Sequence, residues 1–240
     1  MYFTSREEAK KAIIAQSPAF GIFLNRVIGE QIVKYLKSIS QDSEIYLFSG
    51  IIRDFLIGNK SALTPRDIDL VVAGNFNTSH LILLQKLFPR KNSFNGIKLT
   101  FSNLNIDIWN LKDTWGIKQL TKKPNVNNLL KSAFFNFSTI VYSFKDSKFI
   151  FDENFIDFLM SRRIEIVLPD NPNLGLSLFN IYYYTNKLNV QVGDSVVFWL
   201  KKHFCHIIDF QQIQKKHIGE ATVSTDKIIN FLISLKSSNV

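Results

Sequence analysis

Asp67 and Asp69 stand two apart in a run that is otherwise apolar, with Ile68 between them and Leu70-Val71-Val72 behind. In a β-strand alternate side chains share a face, so both carboxylates point the same way. Two carboxylates side by side repel each other, and a hard divalent cation is the usual reason to keep both ionised. Upstream, the apolar run Ile45 to Phe48 ends in Ser49-Gly50 and passes into Ile51-Ile52-Arg53-Asp54-Phe55-Leu56-Ile57, closed by Gly58. That pattern reads as a strand, a tight small-residue turn and a helix start. Such a junction presents backbone N–H groups and the positive end of a helix dipole, and an anion such as a triphosphate can approach it with no side chain in the way. A third acid, Asp107, lies in Leu104-Asn105-Ile106-Asp107-Ile108-Trp109. Alternation there turns Asn105, Asp107 and Trp109 to one side and Leu104, Ile106 and Ile108 to the other.

The elements that must hold these residues follow from the periodicity. Helices are expected over 6–16 and about 20–39, separated near Pro18, before strand 45–49, helix 51–57, the breaker-rich loop 58–66 and strand 67–73. A helix from Thr78 or Ser79 to about Phe88 comes next, stopped by Pro89. Strands are expected at 97–101 and 104–109, after an Asn95-Gly96 turn signal and joined at Ser102-Asn103. The pattern weakens from 110 to 130, then gives strands at 137–144 and 148–151, a short helix at 154–161 and a last short strand at 164–168. Beyond Pro169-Asp170-Asn171-Pro172 only helical patterns remain, at 174–188, 193–208, 209–217 and 225–236. The expected class is therefore α+β: a mixed sheet with flanking helices in a first domain, 1–170, and an all-helical neck and C-terminal domain, 171–240.

Composition narrows the partners. With 240 residues, 46% of them hydrophobic, the chain can bury a substantial core. Its net charge of +9 is spread evenly, 15 basic against 10 acidic residues in 1–120 and 14 against 10 in 121–240. The excess suits a polyanion such as RNA or a nucleotide, although basic proteins without such a partner are about as common. The single cysteine, Cys205, excludes an internal disulfide and fits a reducing cytoplasm. Met1 to Glu8 is too polar for a secretory signal, and no apolar run approaches the roughly 18 to 20 residues of a membrane span.

At Phe48-Ser49-Gly50-Ile51-Ile52-Arg53-Asp54 and Arg66-Asp67-Ile68-Asp69-Leu70 the chain resembles the head domain of the CCA-adding enzyme and bacterial poly(A) polymerase family, in the nucleotidyltransferase superfamily. That family combines an apolar strand, a small-residue turn, Arg-Asp two residues on, and Asp-x-Asp on the next strand. The resemblance is clear over 45–74 and looser to about 190. It implies a nucleotidyltransferase-type fold and a phosphoryl-transfer site in which Asp67, Asp69 and Asp107 hold Mg²⁺. Asp107 would also be the carboxylate that activates an acceptor hydroxyl. It further implies that Ser49, Gly50, Arg53, Asp54 and Arg66 serve an NTP, ATP or CTP, with Asp54 either orienting Arg53 or lying near the metals. Two segments depart from the family. Phe134-Phe135-Asn136-Phe137-Ser138 lacks its arginines and acid, and Leu174 to Leu188 offers Asn180, Tyr182, Tyr183, Tyr184 and Lys187 where it carries base-reading arginines.

Two functions are therefore set side by side: Mg²⁺-dependent transfer of NMP to a hydroxyl of RNA, a small molecule or a protein, and a catalytically inactive module of the same fold that binds nucleic acid or a protein. Arg53 and Asp54 could also simply pair with each other or with a neighbour on the helix. His203-Phe204-Cys205-His206 lies in an apolar helical run without a second ligand pair, so it reads as a core cysteine flanked by histidines rather than a zinc site. Of the adjacent Tyr182, Tyr183 and Tyr184, at least two are expected to pack rather than to stack on a base. Lys201-Lys202 and Lys215-Lys216 read as solvated faces.

Overall fold

A computed structural model describes residues 3–48, 50–65, 67–74, 90–91, 96–101, 104–204 and 208–237. The helix expected up to Phe88 and the turn residues Asn95, Ser102 and Asn103 lie outside them.

Three helices open the chain, α1 (Arg6–Ala15), α2 (Ser17–Ile28) and α3 (Glu30–Ile39). The long helix expected over 20–39 is broken at Gly29, whose φ of 94° belongs to the left-handed half of backbone space. The apolar spacing runs across the break because Ile28 and Ile32 are both buried, so periodicity alone does not show it. Pro18 sits in the first turn of α2, where a missing N–H costs no intrahelical bond.

The sheet has seven strands among the described residues. They are β1 (Glu44–Phe48), β2 (Asp67–Ala73), β3 (Arg90–Lys91), β4 (Ile97–Phe101), β5 (Leu104–Asn110), β6 (Ile140–Ser143) and β7 (Lys148–Phe151), arranged in the order β3-β4-β5-β2-β1-β6-β7. Only β2 and β5 run parallel, so the sheet is mixed, as expected. Alternation separates its two faces. Ile45, Leu47, Ile68, Leu70, Val72, Ile106 and Ile108 enter the main core. Tyr46, Val71 and Val141 belong to a smaller core on the other face, beneath Leu111, Ile117, Leu129 and Leu130. The helices over this second face are α5 (Trp115–Gln119) and α6 (Val126–Lys131). Burial there, with a hydrogen bond to Glu44, pushes the Tyr46 phenol above its ordinary pKa.

In the main core, Phe20 of α2 meets Tyr142, Phe55 and Phe149 with ring centroids 5.0 to 5.1 Å apart. Aromatic pairs at that spacing add about 0.5–1.5 kcal/mol each beyond their buried area, which helps explain what the many phenylalanines do. The strand expected over 137–144 is shorter than anticipated. Asn136–Ser138 forms a 3-10 turn because the buried Asn136 side chain accepts from the N–H groups of Phe137 and Glu165 and donates to the Arg163 carbonyl. This bend aims Phe137 at the helix that follows β1.

α4 (Gly50–Leu56) follows β1, α7 (Glu153–Ser161) follows β7, and then the two-residue strand β8 (Arg163–Ile164). The C-terminal part holds α8 (Leu174–Leu188), β9 (Gln191–Val192), α9 (Asp194–His203), α10 (Phe210–Ile218) and α11 (Thr225–Ser237). β9 pairs in parallel with β8, the Ile166 N–H donates to Ser195 Oγ at 2.8 Å, and Trp199 Nε1 donates to the Pro169 carbonyl at 2.9 Å. Leu178, Phe179 and Ile181 of α8, with Ile228 and Leu232 of α11, share one buried cluster with the sheet and α1, α2 and α7. α8 is thus packed against the sheet domain through apolar contact. No helix among the described residues is long and apolar enough to cross a membrane.

Candidate active site

The register of the sheet brings the Asp-x-Asp pair to the small-residue turn. β1 runs antiparallel to β2 with Leu47 opposite Leu70, so the end of β1 and the start of α4 arrive beside Asp69 and Asp67. Both aspartates lie on the face opposite Ile68 and Leu70, and both are half-buried. They line a cleft of about 600 Å³ together with Phe48, Gly50, Ile51, Arg53 and Asp54. A Cβ added at Gly50 would meet nothing within 4 Å among the described residues, so the backbone at the start of α4 is open to the cleft on that count.

Asp107 is placed by β5, which pairs in parallel with β2 so that Asp69 and Asp107 are neighbours on one face. On its other side Lys98 of β4 is in register with Asp107, and its Nζ lies 3.3 Å from Asp107 Oδ2. Asp107 does not line the cleft, and no three acidic, histidine or cysteine side chains among the described residues form a ready-made metal cage. The donor set does suit Mg²⁺, which is commonly bound by one or two carboxylates and completed by water and substrate phosphates. Asp67 and Asp69 are the residues that would hold it.

The Arg-Asp pair is almost entirely buried, with side chains 3% and 6% exposed. Arg53 Nε and Nη2 reach Asp54 Oδ1 at 2.8 and 2.7 Å, and the other carboxylate oxygen accepts from Lys187 Nζ of α8 at 3.2 Å. The guanidinium carbon lies 5.0 Å from the ring centroids of both Phe137 and Tyr184, within cation–π range. Asp54 therefore holds Arg53 in place and joins α4 to α8. The triad carries one excess positive charge into the cleft wall, opposite the two aspartates.

The far wall is one stripe of α8. Asn180, Tyr183, Tyr184 and Lys187 line the cleft at the i, i+3, i+4, i+7 spacing of a single helix face. Tyr182 points the other way, is buried, and packs edge-on against Phe231 at 5.3 Å. Of the three adjacent tyrosines, two thus reach the cleft, although both also pack against neighbouring rings. The Asn180 Oδ1 atom is buried without a hydrogen-bond partner among the described residues. Phe134, Phe135, Phe137 and Trp109 add aromatic rings to the cleft lining, together with Ser138 and with His217 and Ile218 of α10.

Of the residues singled out from the sequence, the structure thus gathers Gly50, Arg53, Asp54, Asp67 and Asp69 around one cleft and sets Asp107 beside Asp69. Ser49 and Arg66 lie outside the described residues, as do Cys205 and His206. His203 stacks on Trp199 at 4.6 Å, with its Nδ1 3.0 Å from the Trp199 carbonyl oxygen. His217 is one of several lining residues, with Thr64, Thr114, Ser132 and Asn171, that no sequence pattern marked for the site. The α8 stripe was visible in the sequence only as a departure from the family, yet its helical spacing predicts the shared face.

No family model and no curated protein matches the chain. Solved structures do. A Thermotoga maritima CCA-adding enzyme complexed with tRNA superposes with a TM-score of 0.65 at 16% identity, covering 89% of this chain and 52% of that one. An apo CCA-adding enzyme gives 0.62 at 15% identity over 85% and 50%, and a tRNA nucleotidyltransferase complexed with a primer tRNA and an incoming ATP analogue gives 0.55 at 17% over 83% and 55%. The chain spans about half the length of these structures. Over that length its α+β fold is similar to that of the CCA-adding enzymes and tRNA nucleotidyltransferases, in agreement with the head-domain resemblance carried by Gly50, Arg53-Asp54 and Asp67-Ile68-Asp69.

Proposed function

We propose that the protein is an Mg²⁺-dependent nucleotidyltransferase that moves NMP from an NTP, ATP or CTP, to a hydroxyl of an RNA acceptor and releases pyrophosphate. The observation that carries this reading is the convergence of Asp67 and Asp69, from one face of β2, with the open backbone at Gly50 in a single cleft. The fold it shares with tRNA nucleotidyltransferases supports RNA as the acceptor.

The residues that would hold Mg²⁺ are Asp67 and Asp69, and the ion would supply charge neutralisation for the phosphates and acidify an attacking hydroxyl. The chain's own residues do the rest. Asp67 and Asp69 would hold the ion from one face of β2, while the backbone at Gly50 and the Lys187 ammonium, 26% exposed, would face the negative charge of the triphosphate. The acceptor oxygen attacks the α-phosphorus, the bond to the β-phosphate oxygen breaks, and pyrophosphate leaves. Asp107, next to Asp69 in the sheet but outside the cleft lining and paired with Lys98, would take the proton of the acceptor hydroxyl once released from that lysine. Tyr183, Tyr184 and Phe134 offer ring faces to a base.

The second reading, an inactive binding module, draws on the pairing of Asp107 with Lys98 and of Arg53 with Asp54. Calorimetric titration with ATP and CTP separates the two. Active-site binding requires heat that depends on Mg²⁺, and nucleotide binding indifferent to the metal would leave only the inactive module.

Gly50→Ala gives a complementary test. The added methyl meets no atom of the described residues, and the residue starts a helix, so stability should hold or rise by about 0.4–1 kcal/mol. The methyl would occupy the space a phosphate needs, so the affinity for Mg-NTP measured by the same titration should fall at least about tenfold, roughly 1.4 kcal/mol. A variant both stable and fully competent to bind would remove Gly50 from the phosphate site.

A further inference from the structure

Between β5 and Ser132 of the cleft wall, residues 112–131 hold five lysines and a single acid, Asp113. Lys112, Lys118, Lys122, Lys123 and Lys131 are all exposed. Lys118 pairs with Asp113 at 3.1 Å, whereas the other four make no salt bridge among the described residues. Four solvated ammonium groups without a compensating acid are a concentrated share of the chain's positive excess.

The segment that carries them is firmly held. Ile117, Leu129 and Leu130 are buried in the smaller core. Gly116 packs so closely on Ser132 that a Cβ there would lie 2.6 Å from the Ser132 Cβ, which locks α5 to the end of α6. Between the helices, Thr121–Asn125 is exposed throughout. Its backbone is pinned at both ends, by the Thr121 N–H donating to the Lys118 carbonyl at 3.2 Å and by Asn128 Nδ2 donating to the Lys123 carbonyl at 2.8 Å. Thr121 has φ 48°, a left-handed conformation that β-branched residues seldom adopt, so the surroundings impose it. Lys122 and Lys123 are thereby presented to solvent on a defined turn rather than on a loose tether.

The same segment contributes Thr114 and Leu129 to the wall of the cleft that holds Asp67 and Asp69. Isolated ammonium groups in water stabilise a fold little, but beside a nucleic acid each displaces condensed counterions. A membrane surface fits less well, because none of the large exposed apolar side chains lies in 112–131 and surface binding needs an apolar face beside the charges.

We propose that Lys112, Lys122, Lys123 and Lys131 form a phosphate-backbone track that guides the single-stranded 3′ end of the acceptor RNA to the Asp67/Asp69 cleft. This rests on the nucleotidyl-transfer reading for the identity of the acceptor.

The test is an anisotropy titration of a fluorescent single-stranded RNA at several salt concentrations. It uses the intact chain, the quadruple Lys→Gln variant at 112, 122, 123 and 131, and a control quadruple at Lys11, Lys201, Lys202 and Lys227, which are also exposed but lie outside the segment that contributes Thr114 and Leu129 to the cleft wall. The track variant should bind RNA about tenfold or more weakly at low salt, with the slope of log K against log salt flattened by about 2 to 3, at roughly 0.7 for each phosphate no longer neutralised. The control should change the slope by less than half as much, and Mg-NTP binding should be untouched in both. An unchanged slope in the track variant, or an equal loss in the control, overturns the track. If the intact chain binds Mg-NTP under those conditions, only the track falls; if it binds neither RNA nor nucleotide, the nucleotidyl-transfer reading falls as well.

Discussion

Asp54→Ala should lower the free energy of unfolding by about 3 to 5 kcal/mol, the usual cost of removing one partner from a buried ion pair and leaving the other uncompensated. Arg53 would keep its place 5.0 Å from the rings of Phe137 and Tyr184, and cation–π attraction of about 0.5–2 kcal/mol does not replace a hydrogen-bonded carboxylate at 2.7 and 2.8 Å. For a chain of 240 residues this corresponds to a fall in Tm of roughly 6 to 20 °C, readable in a circular dichroism melt. Lys187→Ala is the control. Its side chain is 26% exposed, and its removal still leaves Asp54 paired with Arg53, so the loss should be about 1 kcal/mol or less. Equal losses from the two substitutions would show that the pair is not a buried keystone between α4 and α8.

Asp67→Ala and Asp69→Ala should behave in the opposite way, with catalysis lost and the fold kept. If these carboxylates hold the metal, each removal costs several kcal/mol of transition-state stabilisation, so about 10³-fold or more in rate of transfer. Both side chains are only half-buried, and taking away one of two neighbouring negative charges relieves repulsion. The melting curve should therefore shift by no more than the few tenths of a kcal/mol typical of such positions. Transfer that survives both substitutions would sink the assignment, and so would a loss of activity that merely tracks unfolding.

Much of the sheet-bearing half of the fold is legible in the residues alone. β2 runs from Asp67 to Ala73 as expected because its alternation is clean, and β5 pairs with it so that Asp107 stands beside Asp69. Strand, turn and helix around Gly50 can be read because the apolar period changes there within a few residues. What escapes such a reading depends on distant partners. Arg53 and Asp54 look equally suited to a helix surface or to a triphosphate. Their burial needs Lys187, which is 133 residues away, and the rings of Phe137 and Tyr184. Lys98, the partner of Asp107, is set by the register of a neighbouring strand.

Helical geometry decides two other points. The break at Gly29 hides behind a continuous apolar stripe, and only its φ reveals it. Conversely, Tyr182, Tyr183 and Tyr184 look alike in sequence, but a turn of 100° per residue sends the first into the core and the others toward the cleft. Asn180, Tyr183, Tyr184 and Lys187 therefore give the α8 wall of the cleft two rings, an amide and one ammonium where the resemblance would place arginines. His217 reaches the cleft by way of α10, through packing that no local pattern encodes.

The most direct test of nucleotidyl transfer is to incubate the full chain with Mg²⁺, an RNA pool that includes tRNA, and ATP or CTP labelled at either the α- or the γ-phosphate. Attack at the α-phosphorus predicts that the α-label alone enters RNA, that the γ-label leaves as pyrophosphate, and that chelating the metal stops both. Label entering RNA from the γ-position, or no label from either nucleotide under conditions where Mg-NTP binds, would contradict it.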